Sequence, residues 1–142
     1  MLRNKSMVVG STGLVGKSVV NHLIEKEISV LALVRNDQVS NNTLLNYYKI
    51  DFDDLQLSDE IFSDIKDIFI CLGTTIKKAG SKDAFQKVDI TYCYEIAKQA
   101  QASGVKNISI VTSLGSDSNA GNFYLKSKGM IEDKITKIDF DS

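Results

Sequence analysis

The sequence predicts an α/β fold: a Rossmann-like, doubly wound parallel sheet of about five strands in the order 3-2-1-4-5. Three observations lead there. Short, nearly continuous apolar runs alternate with segments of helical periodicity, as parallel strands covered on both faces require. The first run passes straight into a glycine-rich turn that opens a helix. The 142 residues, 43% hydrophobic and 25% charged, have the size and composition of one globular domain, expected to span 1–142.

The elements follow in order. Residues 7–9, Met-Val-Val, are the first strand. Leu14, Val15, Ser18, Val19, His22 and Leu23 then recur at the three-and-four spacing of a helix face. Residues 28–34 (ISVLALV) and 47–50 read as the second and third strands, and 68–72 (IFICL) as the fourth. Phe85, Val88, Tyr92, Cys93, Ile96 and Ala100 mark a second helix, which Gly104 closes as a C-terminal cap. The fifth strand is 108–112 (ISIVT), and a last helix runs over 120–135. Asn41-Asn42-Thr43 and residues 75–83 are polar loops. Average usage would supply about seven prolines. The chain has none, so its helix ends must be read from glycines and polar residues.

Charge and cysteine content narrow the functional classes. Seventeen basic residues against eighteen acidic ones leave no excess to drive general nucleic-acid or anionic-membrane binding. Cys71 and Cys93 both lie in apolar runs and read as reduced, buried thiols. One histidine, His22, and two distant cysteines build no metal site. The first apolar stretch ends after three residues, which is not a signal peptide. No run approaches the roughly 20 apolar residues of a membrane helix. A cytoplasmic protein is therefore expected.

Gly10-Ser11-Thr12-Gly13-Leu14-Val15-Gly16 carries glycines at its first, fourth and seventh places. In a dinucleotide turn the first glycine allows the sharp bend and the second lets a pyrophosphate approach the backbone. The third lets the helix pack close to the strand. Free N–H groups and the helix dipole then hold the phosphates. Two rivals stand beside this reading: a purely structural glycine turn, and a Walker A loop over 11–18, S-T-G-L-V-G-K-S. In the latter Lys17 reaches terminal phosphates and Ser18 binds Mg²⁺. Serine replaces its first glycine, however, and IFICLGTT offers no metal-binding Asp. The dinucleotide turn is the favoured reading.

After the second strand comes Arg35, 19 residues beyond Gly16 (35 − 16), where dinucleotide folds read the adenosine ribose. Its planar fork suits the 2′-phosphate of NADP; the alternative is an exposed surface arginine. Asp37 nearby keeps NAD open. Asp51 and Phe52, after the third strand, are placed to border the adenine, with a solvated acidic turn as the equal alternative.

Ser113 ends the fifth strand, and eleven residues later comes Tyr124, followed four residues on by Lys128. Four apart on a helix, Tyr124 and Lys128 share one face. Such a trio supports hydride transfer at a carbonyl carbon. A free phenol titrates near 10, so proton exchange near neutrality needs a neighbouring cation. Lys128 would supply that charge to Tyr124, and Ser113 would orient the substrate oxygen.

Gly10-x-x-Gly13-x-x-Gly16 with Ser113 and Tyr124-x-x-x-Lys128 resembles the short-chain dehydrogenase/reductase superfamily. The stretch from Cys71-Leu72-Gly73-Thr74-Thr75 through Val88-Asp89 to Tyr124 is similar to its atypical Tat-interacting-protein-like oxidoreductases. The resemblance covers nearly the whole chain. It implies NADP(H) as the preferred ligand, with NAD(H) as the alternative. It also implies that Leu72, Gly73, Thr74 and Thr75 line the cofactor and that Lys128 touches the nicotinamide ribose. The implied reaction is hydride transfer to or from a small carbonyl or alcohol substrate. The alternative is a dinucleotide-binding regulatory or scaffold protein that reduces nothing. Asp89 stands where many extended members carry a relay asparagine, so no relay is expected there. Members continue beyond Ile138-Asp139-Phe140-Asp141-Ser142 into further strands. The expectation is a truncated cofactor-binding portion, or a second copy or other chain completing the sheet edge.

Overall fold

Met7, Val8 and Val9 are wholly buried, and the strand that carries them, β1 (Lys5–Val9), is the middle strand of the sheet. The fold is that of a computed structural model, which describes residues 4–142. Around β1 lie β2 (Ser29–Val34), β3 (Leu45–Lys49), β4 (Ile65–Ile70) and β5 (Asn107–Ile110). The order is β3-β2-β1-β4-β5 and every pairing is parallel. Val9 lies beside both Leu33 and Ile70, so the carboxyl ends of the central strands finish together. Ladder bonds run one residue further, from Cys71 N–H to Val9 O (2.8 Å) and from Val111 N–H to Ile70 O (3.0 Å).

Strand bounds shift from those expected. β4 begins three residues before Ile68 and releases Cys71 and Leu72 into the following loop, and β5 releases residues 111–112. An apolar run marks burial, whereas a strand ends where its neighbour's backbone stops. β3 starts at Leu45 because Asn42 folds the preceding turn, its Oδ1 accepting from Leu44 N–H at 2.9 Å.

The helices are α1 (Leu14–Glu25), the short α2 (Ile76–Ala79) and α3 (Lys82–Gln86), α4 (Cys93–Ala102) and α5 (Phe123–Thr136). The second expected helix is helical from Lys82 to Ala102, but a π-helical turn, Lys87–Tyr92, is inserted between α3 and α4. That turn carries Asp89 inward to 1% exposure. The widened turn re-aims side chains that a straight helix would direct elsewhere. α5 starts at Phe123, three residues later than expected, because Asn122 caps it: its Oδ1 accepts from Leu125 N–H at 3.1 Å.

Two apolar clusters flank the sheet. The larger joins Met7, Leu33, Ile68 and Ile70 to Ile96, Ala97 and Ala100 of α4 and Ile131 of α5. The smaller holds Val8, Val20, Leu23 and Val30 under α1. Along the free side of β5 the chain's last residues add two backbone bonds. Asp141 N–H donates to Lys106 O, and Ile108 N–H to Ser142 O, both at 2.8 Å. The start of that edge, expected to be bare, is thus paired with residues of the same chain.

Candidate functional site

The glycine turn leaves the carboxyl end of β1. Gly10 has φ +83°, a backbone conformation that favours glycine, and a Cβ there would lie 2.7 Å from the Cys71 carbonyl carbon. A Cβ on Gly16 would overlap the Gly10 carbonyl oxygen. Gly10 therefore meets the loop that follows β4, and Gly16 lets α1 close onto the turn. Gly13 caps α1 with no side chain bonded there, and the first helical turn holds no acidic residue. Its N–H groups and dipole therefore face outward to an anion. Ser11 is 6% exposed, yet its Oγ has no hydrogen-bond partner among the described residues. An orphaned hydroxyl, an uncapped helix start and a close-packed glycine bend fit a dinucleotide pyrophosphate. Thr12, Gly13, Leu14 and Val15 form the outer, exposed side of the bend.

From the turn, three adjoining recesses cross the carboxyl ends of the strands, the place where open α/β sheets receive ligands. The first, about 270 Å³, lies between Gly10, Ser11 and Thr12 on one side and Arg35, Phe52 and Leu72 on the other. The second holds Asp51, Phe52, Asp53 and Tyr92. The third reaches Leu72, Gly73 and Thr74 beneath Lys78 and Lys87. Arg35 borders all three, its guanidinium carbon 5.9 Å from the centre of the Phe52 ring. Thr75 instead caps α2, its Oγ1 accepting from Lys78 N–H at 3.1 Å.

Nearby carboxylates are already engaged. Asp37 pairs with Lys49 at 3.4 Å. Asp53 meets Lys87 Nζ at 2.7 Å and accepts from the Tyr92 hydroxyl at 2.7 Å. Lys87 and then Tyr92 hold the Asp53 carboxyl below its ordinary range, while burial and then Asp53 push the Tyr92 phenol up. Among the described residues no carboxylate pairs with Arg35.

At the other end of the strand edge, Tyr124 lies against Phe85, ring centres 5.7 Å apart, and is 37% exposed. Lys128 is 5% exposed, with Nζ 5.4 Å from the Tyr124 ring centre and 3.0 Å from Asp89 Oδ2. Burial raises the Asp89 carboxyl above its ordinary value; Lys128 and the Thr74 backbone oppose that rise. Ser113 sits in the loop after β5. Its Oγ donates to Leu114 O at 3.4 Å, and its N–H donates to Ser116 Oγ at 3.1 Å. The fold thus brings Tyr124 and Lys128 together as the four-residue spacing implies. No hydrogen bond among the described residues joins Ser113 to either.

Sequence reasoning missed Asp89 as the partner of Lys128. Its signals were an acidic residue flanked by Val88 and Ile90 on an otherwise apolar face and its place at the relay-asparagine position, which by itself implies only the loss of a relay. Both cysteines are free thiols. Burial pushes Cys93 up to about 12 and raises Cys71, which leaves both poor nucleophiles. His22, Lys77 and Lys78 are exposed. No group of residues among those described could hold a metal ion.

A family model described as NAD(P)H-binding matches residues 10–138, from the first glycine of the turn to the end of α5 and just beyond. The chain belongs to this NAD(P)H-binding family. That membership supports a nicotinamide dinucleotide as the ligand class and sets aside the Walker A reading. Protein FMP52, mitochondrial, of Meyerozyma guilliermondii is 36% identical over 146 residues, covering 96% of this chain and 60% of its own length. Protein HTATIP2 of Rattus norvegicus is 31% identical over 148 residues, covering 99% and 60%. The resemblance to Tat-interacting-protein-like members is thereby shown. The Bordetella bronchiseptica enzyme WbmG in complex with NAD superposes with TM-score 0.78 at 13% identity, over 97% of this chain and 51% of that one. The chain thus spans about three-fifths of the length of these curated relatives. One expectation is overturned: several yeast relatives are named mitochondrial, which points away from the cytoplasm.

Proposed function

We propose that the domain binds NADP(H) in preference to NAD(H) and belongs to an oxidoreductase that transfers hydride to or from a small carbonyl or alcohol. The observation that carries the cofactor preference is Arg35, which borders the three recesses at the strand ends and has no carboxylate partner among the described residues, while Asp37 is held by Lys49. A guanidinium fork left free in this way suits a ribose phosphate. When bound, the dinucleotide would supply or accept the hydride. The chain's own groups orient and protonate: the turn and Ser11 receive the pyrophosphate, and Phe52 packs beside the adenosine end. Tyr124 exchanges a proton with the substrate oxygen, and the Lys128 ammonium stabilises the phenolate form. Ser113 is then a further donor to the substrate oxygen, which requires its Oγ to leave Leu114 O.

Arg35→Ala is expected to weaken NADPH binding roughly tenfold to hundredfold, the value of a charged hydrogen bond, while leaving NADH binding nearly unchanged. Fluorescence titration checks this; equal losses for both dinucleotides defeat the NADP preference. The engagement of Ser113 with the backbone favours a second reading, a dinucleotide-binding protein that reduces nothing. Turnover of a panel of aldehydes and ketones decides between them. Tyr124→Phe should abolish the rate, and equal rates with and without the hydroxyl would leave the binding reading alone standing.

A further inference from the structure

We infer that Asp89 is a positioning residue that keeps Lys128 charged and directed at the nicotinamide end of the site; the inference rests on the proposed role of Lys128. Three observations converge. Asp89 and Lys128 are 1% and 5% exposed and stand 3.0 Å apart, so each is the other's counter-charge in a place water does not reach. The π-helical turn Lys87–Tyr92 is what directs Asp89 there. The backbone of Gly73, in the loop at the carboxyl end of β4, lies directly over the pair: a Cβ there would be 3.6 Å from Asp89 Oδ1 and 3.7 Å from Lys128 Nζ. The pair therefore lies directly against Gly73, which itself lines the third recess.

Burial alone favours a neutral amine over an ammonium. Besides Asp89 on the π-helical turn, the titratable groups around Lys128 are Tyr124 on α5 and Cys93 on α4, with Cys71 after β4 acting on Cys93. Burial raises both thiols above their ordinary value, and the carboxylate paired with Lys128 among the described residues is Asp89. An asparagine at position 89 would keep the shape and withdraw the charge.

The test is NADPH affinity between pH 6.5 and 9 for the parent chain, Asp89→Asn, Lys128→Met and the double variant. Melting temperatures show that each is folded. Lys128→Met is expected to weaken binding about tenfold, one charged contact. Asp89→Asn should match the parent at pH 6.5 and fall towards Lys128→Met by pH 9, as the lysine loses its proton. The double variant should bind no more weakly than Lys128→Met. An Asp89→Asn profile parallel to the parent's at every pH overturns the inference, as do losses that add in the double variant. Lys128→Met with parental affinity removes the role of Lys128 and the inference with it. If Lys128→Met does not fold, the double variant, which buries no charge, replaces it as the reference at pH 9.

Discussion

Asp89 shows how one side chain ties stability to chemistry. Its carboxyl is raised from the ordinary 3.8 by burial, so it lowers folding stability once ionised, at neutral pH, and less in acid. Lys128 offsets much of that cost. Lys128→Met strips the counter-charge and is expected to destabilise the fold by about 3–5 kcal/mol at pH 7. The deficit should shrink as pH falls through the acid range, because the neutral carboxyl tolerates burial. Urea unfolding at pH 7 and pH 4 checks the sign; a deficit that grows in acid contradicts it. The residue types at positions 124 and 128 could be paired from spacing alone, since an α-helix fixes the four-residue geometry. Asp89 could not, because its inward direction depends on a π-helical turn that no periodicity announces.

At the scale of the element, the glycine turn separates two uses of the same residue. A methyl on Gly16 would collide with Gly10 O, whereas one on Gly13 would lie an ordinary 3.7 Å from the same atom. Gly16→Ala should therefore lower the melting temperature and weaken NADPH binding together, at a structural cost of about 1–3 kcal/mol. Gly13→Ala should keep the melting temperature and lose affinity, because the added methyl stands where a pyrophosphate would approach. Thermal melts and fluorescence titration on the two variants check this, and identical behaviour would refute the division of roles. The motif itself was legible in the sequence. Its contact with Cys71 was not, since that approach joins loops following two strands far apart in the chain.

For the whole molecule, the two faces of the sheet are unequal. α4 and α5 cover one face over the larger apolar cluster, and α1 covers part of the other. On the α1 side Val15, Val19 and Phe69 line an open apolar groove. Ile96, wholly buried on the inner face of α4, should cost about 2–5 kcal/mol when replaced by Ala, as a cavity in a closed core does. Val20→Ala, on the thinner side, should cost less. Guanidinium midpoints rank the two, and the reverse order would show that α1 is the better-packed layer.

The sequence by itself determined the layer architecture and the phosphate-binding character of the first turn, and the family it resembles supplied the expected strand order. Burial on both faces of a parallel sheet forces apolar runs, and a tight phosphate turn forces glycines, so both leave local marks. The tertiary structure decided what local marks cannot encode. It closed Gly10 against Cys71 and gathered Arg35, Phe52 and Gly73 along one strand edge. It paired the tail with the start of β5 and gave Lys128 its buried partner. Each of these joins residues distant in sequence, and only the packing of the sheet and its helices brings them within contact.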